Sequence, residues 1–294
     1  MEEKGHGDHW ECLVSLDDLV KKHLIDLVQN GRLEDKEEVN AIFFEDEIQS
    51  TETIFSISFD NDLSGLALIV TNREKATNDF ISSYPFVRVG ERFLLKITEI
   101  KEWDNKYEAV IVAETKDEQI ISFFDTKYYK YKEKYQIGNY YTFIVSALGY
   151  NVEFLKEKSF SLEGQQAVDW LAKIREEPSF DNKGQIEPVV FDLSNLVAYL
   201  PRHDDDPDDA EFQSPIINVE KLSAFQTDFH KFKIYLFRDP DIVVNLYTKE
   251  SFFERKPTNE DSLRGVIWLQ GYLAEEDKTI SQFLVDKDGK PTIF

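Results

Sequence analysis

The chain has 294 residues, of which 41% are hydrophobic, 14% aromatic and 31% charged, and its formal net charge is -23. This composition is typical of a folded protein and excludes a disordered acidic polymer. The length predicts more than one hydrophobic core. The single cysteine, Cys12, excludes an intramolecular disulfide and a zinc site built from several thiolates, which favours a reducing compartment.

The first residues of the sequence predict neither export nor a membrane anchor. They are acidic and contain histidines, whereas a signal peptide begins with basic residues and an apolar run. No stretch approaches the roughly 18 consecutive apolar residues of a membrane helix. We therefore expect a bacterial-type, cytoplasmic protein without a membrane partner. The zinc-ligand types His6, Asp8, His9 and Glu11 lie at the terminus, where we expect a frayed segment.

The acidic residues are concentrated in two segments. Residues 1–90 hold 8 Lys and Arg against 19 Asp and Glu, and residues 151–212 hold 6 against 15. By contrast, residues 91–150 hold 9 against 10, and residues 213–272 hold 8 against 8. An evenly spread charge would repel phosphate backbones and anionic lipids, but here two segments are nearly neutral.

Residues 1–90 are predicted to form a mixed α/β region. Ser15 is the expected N-cap of a helix that Asn30-Gly31 ends. The predicted apolar face of this helix consists of Leu16, Leu19, Val20, Leu24, Leu27 and Val28. Residues 52–60 and 64–72 are predicted as a hairpin. Residues 73–83 are predicted as a short helix with Ala76, Phe80 and Ile81 on one side.

The two nearly neutral segments resemble each other at an offset of 122 residues. Four identities support this internal repeat, namely Ile120/Ile242, Thr126/Thr248, Lys127/Lys249 and Lys134/Lys256. Gly149-Tyr150 also falls on Gly271-Tyr272, and residues 91–103 fall without a gap on 213–225. We interpret the pattern as a duplication.

Each copy contains short runs in which β-branched and aromatic residues alternate with polar ones, a pattern typical of strands. The predicted strands are 107–115, 119–126 and 139–150 in the first copy and 231–237, 242–247 and 264–273 in the second. Trp268 lies between apolar neighbours and is a predicted core residue. The strand order fits an OB-type barrel, while an SH3-like barrel or a plain antiparallel sheet fits nearly as well.

The predicted fold class is therefore α+β and predominantly β, with two small antiparallel barrel-like units, OB-type by the strand order, in tandem. The predicted divisions are an acidic α/β region at 1–90, a first β unit at 91–160, a helix and acidic linker at 161–212 and a second β unit at 213–294. A helix is expected within 161–178, because its apolar residues have helical spacing and Pro178 would end it.

An Asp-rich loop is the candidate metal site. Asp204, Asp206 and Asp208 alternate as the oxygen ligands of a calcium loop do. The loop lacks the glycine that such a loop needs, and Pro215 stands where a bidentate glutamate is required. The sequence therefore favours a solvated acidic loop, and we expect no cofactor.

A basic, tyrosine-rich run at 127–135 is the candidate binding site for nucleic acid or a protein partner. Its candidate residues are Lys127, Tyr128, Tyr129, Lys130, Tyr131 and Lys132. Interleaved rings and ammonium groups suit single-stranded nucleic acid, where bases stack and phosphates pair. The favoured interpretation is nevertheless structural, with tyrosines packed inward and lysines in solvent.

No catalytic motif is present in the sequence. It contains no nucleophile elbow, no Gly-rich phosphate loop and no His-Glu-x-x-His segment. His230, which precedes a predicted strand, is expected to be a hydrogen-bonded surface residue. We predict no catalytic residue, and the sequence favours a non-catalytic protein over an enzyme.

The leading hypothesis is a non-catalytic binding protein that engages a basic protein partner through the acidic segments. In charge and compartment it is similar to the immunity and inhibitor proteins that neutralise basic toxins. An OB-type binder of single-stranded nucleic acid or a small ligand is the first alternative, with nucleic acid disfavoured by charge. A metal-dependent enzyme that uses the Asp-rich loop is the second. The sequence makes no prediction of the oligomeric state.

Overall fold

The protein consists mostly of β-strands with a few short helices. The computed structural model describes His6 and residues 9–42, 49–72, 77–202 and 208–275. The chain divides into two compact units. Unit 1 contains the described residues up to Ser146, together with Asp208 and the described residues from Leu269 onward. Unit 2 contains Ala147–Arg202 and Asp209–Trp268.

Unit 1 begins with a short helical segment. Its elements are a 3₁₀ turn at His9–Cys12, α1 at Leu16–Asp18, a π turn at Leu19–His23 and α2 at Leu24–Asn30. The predicted N-cap is confirmed, because the Asp18 backbone N–H donates to Ser15 Oγ at 3.2 Å. The predicted apolar face is only partly correct. Leu19 and Leu27 are buried, whereas Leu16, Val20 and Val28 are exposed. The π turn changes the angular spacing of the side chains.

Four antiparallel strands follow in the order of the chain. They are β1 at Arg32–Ile42, β2 at Gln49–Ser58, β3 at Leu63–Asn72 and β4 at Thr77–Val87. The predicted hairpin is confirmed by the pairing of β2 with β3.

The helix predicted over 73–83 is wrong for its described part. Residues 77–83 belong to β4, where Phe80 lies opposite Ile69, while Ala76 lies outside the described residues. Ile81 likewise lies on the strand. The pairing with β3 and the burial of Tyr84 and Phe86 outweigh the helical spacing.

The remaining strands of unit 1 form a second set of pairings. These are β5 at Glu91–Glu102, β6 at Ala109–Glu114, β7 at Ile120–Asp125 and the first part of β8 at Tyr140–Phe154. Between β7 and β8 lie α3 at Tyr128–Tyr131 and a 3₁₀ turn at Lys132–Lys134. β5 pairs antiparallel with both β6 and β8, and β6 pairs antiparallel with β7. β7 pairs parallel with Gln270 and Gly271.

Unit 2 contains the rest of β8 and most of the later elements, with the last strand only as far as Trp268 because Leu269–Leu273 belong to unit 1. In chain order they are β9 at Ser159–Leu162, α4 at Gly164–Ile174, β10 at Val189–Asp192, β11 at Ala198–Pro201, β12 at Asp209–Ala224, β13 at Thr227–Phe237, β14 at Ile242–Lys249, a 3₁₀ turn at Glu250–Phe252 and β15 at Ser262–Leu273. β12 pairs with β11, β13 and β15, and β13 pairs with β14. β9 and β10 form a separate two-stranded sheet.

Two expectations for unit 2 are confirmed. The helix predicted within 161–178 is α4, and the predicted core residue Trp268 is 0% exposed. Among the described residues, no helix has the length and apolar character needed to cross a membrane.

The strand ladders match between the two copies at an offset of 122 residues, except in the first strand. Val110 lies opposite Phe124 in the first copy, and Phe232 lies opposite Leu246 in the second. In the first strand, Phe93 lies opposite Phe143, and Phe212 lies opposite Gly265. Phe212 therefore corresponds to Phe93, a shift of three residues from the gap-free alignment of 91–103 with 213–225. Farther along the strand, Val219 opposite Phe232 corresponds to Lys101 opposite Val110, a shift of four.

Candidate binding surfaces

The tyrosines of the basic run lie inside unit 1. Tyr128, Tyr129 and Tyr131 of α3 are all less than 10% exposed. Tyr129 donates to Ser56 Oγ at 2.6 Å, and its ring packs against three residues of β2 and β3, namely Ile54, Leu68 and Val70. These rings are therefore covered by the chain itself and are not open platforms on which a base could stack.

The first two lysines of the run pair with acidic residues of the N-terminal sheet. Lys127, which is 9% exposed, lies with Nζ 3.0 Å from Glu34 Oε1 and 3.0 Å from Asp35 Oδ2. Lys130 pairs with Asp35 and, at 3.1 Å, with Glu275. Burial alone would raise the pKa of Glu34, but the Lys127 ammonium and the other hydrogen-bond donors hold this pKa below its usual value.

Lys132, the last candidate residue of the run, is partly exposed. Its Nζ donates to the Lys106 carbonyl at 3.1 Å, and it lies over the Tyr107 ring at 5.8 Å from the centroid. The structure thus places the six candidate residues together, with most of their polar groups directed to partners in unit 1.

A buried carboxylate next to this run is held by the N-terminal segment. Glu108 is 1% exposed, with Oε1 2.9 Å from His6 Nε2 and 2.7 Å from Ser82 Oγ. Asn105 donates to its other oxygen. His6 is 3% exposed and stacks on Trp103, with ring centroids 4.6 Å apart.

The expected frayed terminus is therefore wrong at His6, because burial against aromatic rings and a carboxylate fixes the imidazole. Burial, and secondly the proximity of His6, lowers the pKa of His9 well below 6.5. Asp8 lies outside the described residues.

Unit 2 has an open groove of about 810 Å³ between the β12–β13 hairpin and the connection from β14 to β15. Its charged groups largely neutralise one another. Lys221 Nζ lies 2.9 Å from Asp228 Oδ2 and 2.9 Å from Glu250 Oε2. Arg255 donates two hydrogen bonds to Asp261, at 2.8 and 2.6 Å, and these bonds lower the pKa of Asp261 to about 2.

His230 lines this groove and is 3% exposed. Its Nδ1 is buried and has no hydrogen-bond partner among the described residues. Phe232 and Phe253 surround the ring at centroid distances of 5.6 and 5.7 Å. Burial lowers the pKa of His230. The expected surface histidine with satisfied hydrogen bonds is therefore wrong, because the ring lies among aromatic side chains and Nδ1 is unpaired.

Another part of unit 2 exposes an aromatic cluster, formed by Phe160 of β9, Trp170 of α4 and Phe191 of β10. Phe160 and Phe191 stack with centroids 4.5 Å apart, and Trp170 meets Phe191 edge-on at 5.3 Å. Phe160 remains 44% exposed and Trp170 37%. Ile174, one helical turn after Trp170, is 47% exposed and extends the apolar surface.

Exposed carboxylates accompany the aromatic cluster along the chain. Within the described parts of the chain, seven of them form no ion pair within 4 Å, namely Glu157, Glu163, Asp169, Glu176, Glu177, Glu187 and Asp192. Asp169 directly precedes Trp170, and Asp192 directly follows Phe191. The surface therefore combines aromatic contact area with acidic groups that form no ion pair within the described residues. The pKa of Asp192 is lowered by hydrogen bonds from Ser194 and, to a smaller extent, by the charge of Lys158.

The candidate metal site is only partly within the described residues. Asp204 and Asp206 lie outside them, and Asp208 is 5% exposed. In the described ranges, no group of three or more His, Cys, Asp or Glu side chains is arranged to hold a metal ion.

Neither the groove around His230 nor the aromatic cluster was predicted from the sequence. The alternation of Ser159, Phe160 and Ser161 was an available signal for a short strand with one exposed aromatic face. No protein-family model, curated protein or solved structure matches the chain. The function therefore has to be argued from these surfaces.

Proposed function

We propose that the protein is a cytoplasmic, non-catalytic binding protein, similar in role to an inhibitor or immunity protein, that engages a basic protein partner. The supporting observation is the exposed aromatic cluster in an acidic segment, where most of the exposed carboxylates form no ion pair with a described cation. Aromatic side chains are enriched at the energetic centres of protein interfaces. Surrounding charge of one sign accelerates encounter with a partner of the opposite sign.

The contrast within the acidic segments supports the choice of this surface. In unit 1, Glu34 and Asp35 are already paired with Lys127 and Lys130. In unit 2, Asp169 and Asp192 have no such pairing and flank exposed rings. A basic partner would therefore form new ion pairs at the aromatic cluster of unit 2 without breaking existing ion pairs.

We further infer that each copy is an OB-type barrel. In unit 1 the first strand pairs with the second and fourth, and the third pairs parallel with residues 270–271. The Ala274 N–H also donates to the Thr142 carbonyl at 2.9 Å, which links the last strand to the fourth. Such barrels serve many unrelated functions, so this inference adds a binding scaffold and not an activity.

Neither alternative function gains a comparable observation. Binding of single-stranded nucleic acid at the basic run would require exposed rings, and Tyr128, Tyr129 and Tyr131 are buried. A metal-dependent enzyme would require a ligand cluster that no described group of residues provides.

The proposal is tested by titrating the full-length protein with a helical peptide of lysine and leucine, and with a matched peptide of glutamate and leucine. We expect the basic peptide to bind, with an affinity that falls as salt is added. The double variant Asp169→Asn/Asp192→Asn should reduce the salt dependence. Trp170→Ser should weaken binding about tenfold, since it removes an aromatic anchor.

Ile137→Ser is the matched control, because Ile137 is 64% exposed in unit 1 and distant in sequence from the cluster. It should leave peptide affinity unchanged. Equal affinity for the basic and acidic peptides, or equal effects of Trp170→Ser and Ile137→Ser, would contradict the proposal.

A further inference from the structure

The groove of unit 2 corresponds to a surface that the chain covers in unit 1. The β6–β7 and β13–β14 ladders have the same register at an offset of 122 residues. This register makes His230 the counterpart of Glu108. It also makes the connection 250–257, which lines the groove, the counterpart of the tyrosine-rich connection 128–135.

In unit 1 the corresponding positions are occupied by polypeptide from the N-terminal region. His6 and Ser82 lie within hydrogen-bond distance of Glu108, at 2.9 and 2.7 Å. Ser56 of β2 accepts a hydrogen bond from Tyr129. Ser56 and Ser82 lie on β2 and β4, so in unit 1 this surface accommodates extended chain that brings polar groups to it.

In unit 2 the corresponding position lines the groove, and its polar group is unsatisfied among the described residues. His230 is as buried as Glu108, but its Nδ1 has no described partner. A buried polar atom without a partner costs free energy, and a ligand that supplies the partner recovers it.

The groove itself has little net charge, so His230 determines the charge of the preferred ligand. Lys221 is paired with Asp228 and Glu250, and Arg255 is paired with Asp261. Glu220 lies 3.6 Å from Lys231. Among the described lining residues, Glu254 and Lys256 remain without an ion pair, and their charges are opposite.

We propose that this groove is a second binding site, which takes an extended acidic peptide segment of another protein and hydrogen-bonds its carboxylate to His230. The pairing inverts that of unit 1, where the protein supplies the carboxylate and the covering segment supplies the imidazole. The carboxylate stabilises the protonated ring, and Phe253 contacts the aliphatic part of the same ligand side chain. This site is separate from the aromatic cluster and selects the opposite charge.

The test uses the isotope-labelled full-length protein and the capped peptide Ser-Val-Glu-Val-Ser, with matched peptides that carry glutamine or lysine at the centre. We expect the glutamate peptide to perturb the His230 ring resonances and those of the groove. The glutamine and lysine peptides should bind at least about tenfold more weakly, as expected for loss of a charge-assisted hydrogen bond.

Variants locate the site. His230→Phe should weaken binding of the glutamate peptide about tenfold, and Lys256→Gln about threefold. Lys183→Gln, an exposed lysine of unit 2 outside the groove, is the matched control and should have no effect. Trp170→Ser should also leave this binding unchanged, so that failure here is distinguishable from failure of the proposed basic-partner surface.

The His230 ring titration of the unaltered protein tests the proposal even if the His230→Phe variant does not fold. In the unaltered protein, the His230 ring titration is influenced by Glu250, Lys221, Lys256 and Asp228, and it should move to higher pH when the glutamate peptide is bound. Equal affinity for the three peptides, an unchanged titration, or no binding at millimolar peptide would overturn the proposal.

Discussion

The two segments of the expected repeat, residues 91–150 and 213–272, differ in which groups contact the corresponding buried position. In the first copy, Glu108 receives hydrogen bonds from side chains supplied by other parts of unit 1. In the second copy, His230 is equally inaccessible and its Nδ1 is unpaired among the described residues. The shared strand register therefore fixes burial, whereas hydrogen bonding depends on segments outside the repeat.

The acidic residues show the same contrast. Those of β1 pair with Lys127 and Lys130 of the first copy, so they contribute to the packing of unit 1. Those around the aromatic cluster of unit 2 have no described cation within 4 Å. Acidic residues can therefore form buried ion pairs in one segment and an exposed acidic surface in another. Composition alone does not distinguish these two cases.

The largest effect is expected for Glu108→Ala. This change leaves the donors of His6, Ser82 and Asn105 without an acceptor in a buried site, and we expect it to destabilise unit 1 by about 3 kcal/mol. Hydrogen exchange of unit 1 amides during a urea series measures the loss. Glu114→Ala, which removes a more exposed pair with Lys96, is the control and should cost much less. Similar losses in both variants would show that the Glu108 network contributes little.

A second difference between the copies concerns pH. Burial raises the pKa of Asp125 to about 7, despite hydrogen bonds from Tyr135 and the Lys127 backbone. Its counterpart in the second copy is Tyr247. Because the folded pKa exceeds the unfolded value, the contribution of Asp125 to stability is complete below about pH 3.8. It is lost as the pH rises to about 7, by up to about 1.4 kcal/mol per pH unit.

Asp125→Asn should therefore flatten the pH dependence of the free energy of unfolding between about pH 4 and about pH 7. Urea unfolding followed by hydrogen exchange in unit 1 measures this slope. Ser122→Ala, another buried change in β7, should keep the slope of the unaltered protein. An unchanged slope in Asp125→Asn would show that Asp125 titrates normally.

Much of the strand framework was predictable because its signals are local. Alternating apolar residues identified β6, β7, β13 and β14 within a few residues of their bounds. The offset of 122 residues also holds in those strands. It fails in the first strand, because a gap-free comparison cannot detect the shift of three to four residues that is shown by the pairing of Phe212 with Gly265 and of Val219 with Phe232.

The candidate surfaces were less predictable because they depend on contacts between distant parts of the chain. Lys127 and Glu34 are separated by 93 positions, so the sequence shows their charges and not their pairing. The aromatic cluster is assembled from β9 and β10, each only four residues long, and α4. The short strands carry too little periodicity to reveal that their rings stack and remain exposed.

A smaller effect is expected from Lys127, which directly precedes the connection 128–135, and from Lys256, which lies in the connection 250–257. Lys127→Met removes the cation between Glu34 and Asp35, whose side chains are only 13% and 11% exposed, and should cost about 2 kcal/mol. Lys256→Met in the second copy removes an exposed charge and should change stability by less than about 0.5 kcal/mol. Urea unfolding of both variants makes the comparison. Equal losses of unfolding free energy in the two variants would contradict a buried ion-paired Lys127 and an exposed Lys256.

The smallest effect on stability, and the sharpest test of the comparison, is expected for His230→Phe. Phenylalanine preserves the ring contacts with Phe232 and Phe253, and it removes a buried nitrogen that has no described partner. The free energy of unfolding at neutral pH should therefore stay within about 0.5 kcal/mol of the original value or rise slightly. Glu108→Gln is the parallel change in the first copy and should be clearly destabilising. A large loss in His230→Phe would mean that the imidazole is satisfied inside the folded protein, and the groove would then lose the unpaired group that distinguishes it from the covered surface of unit 1.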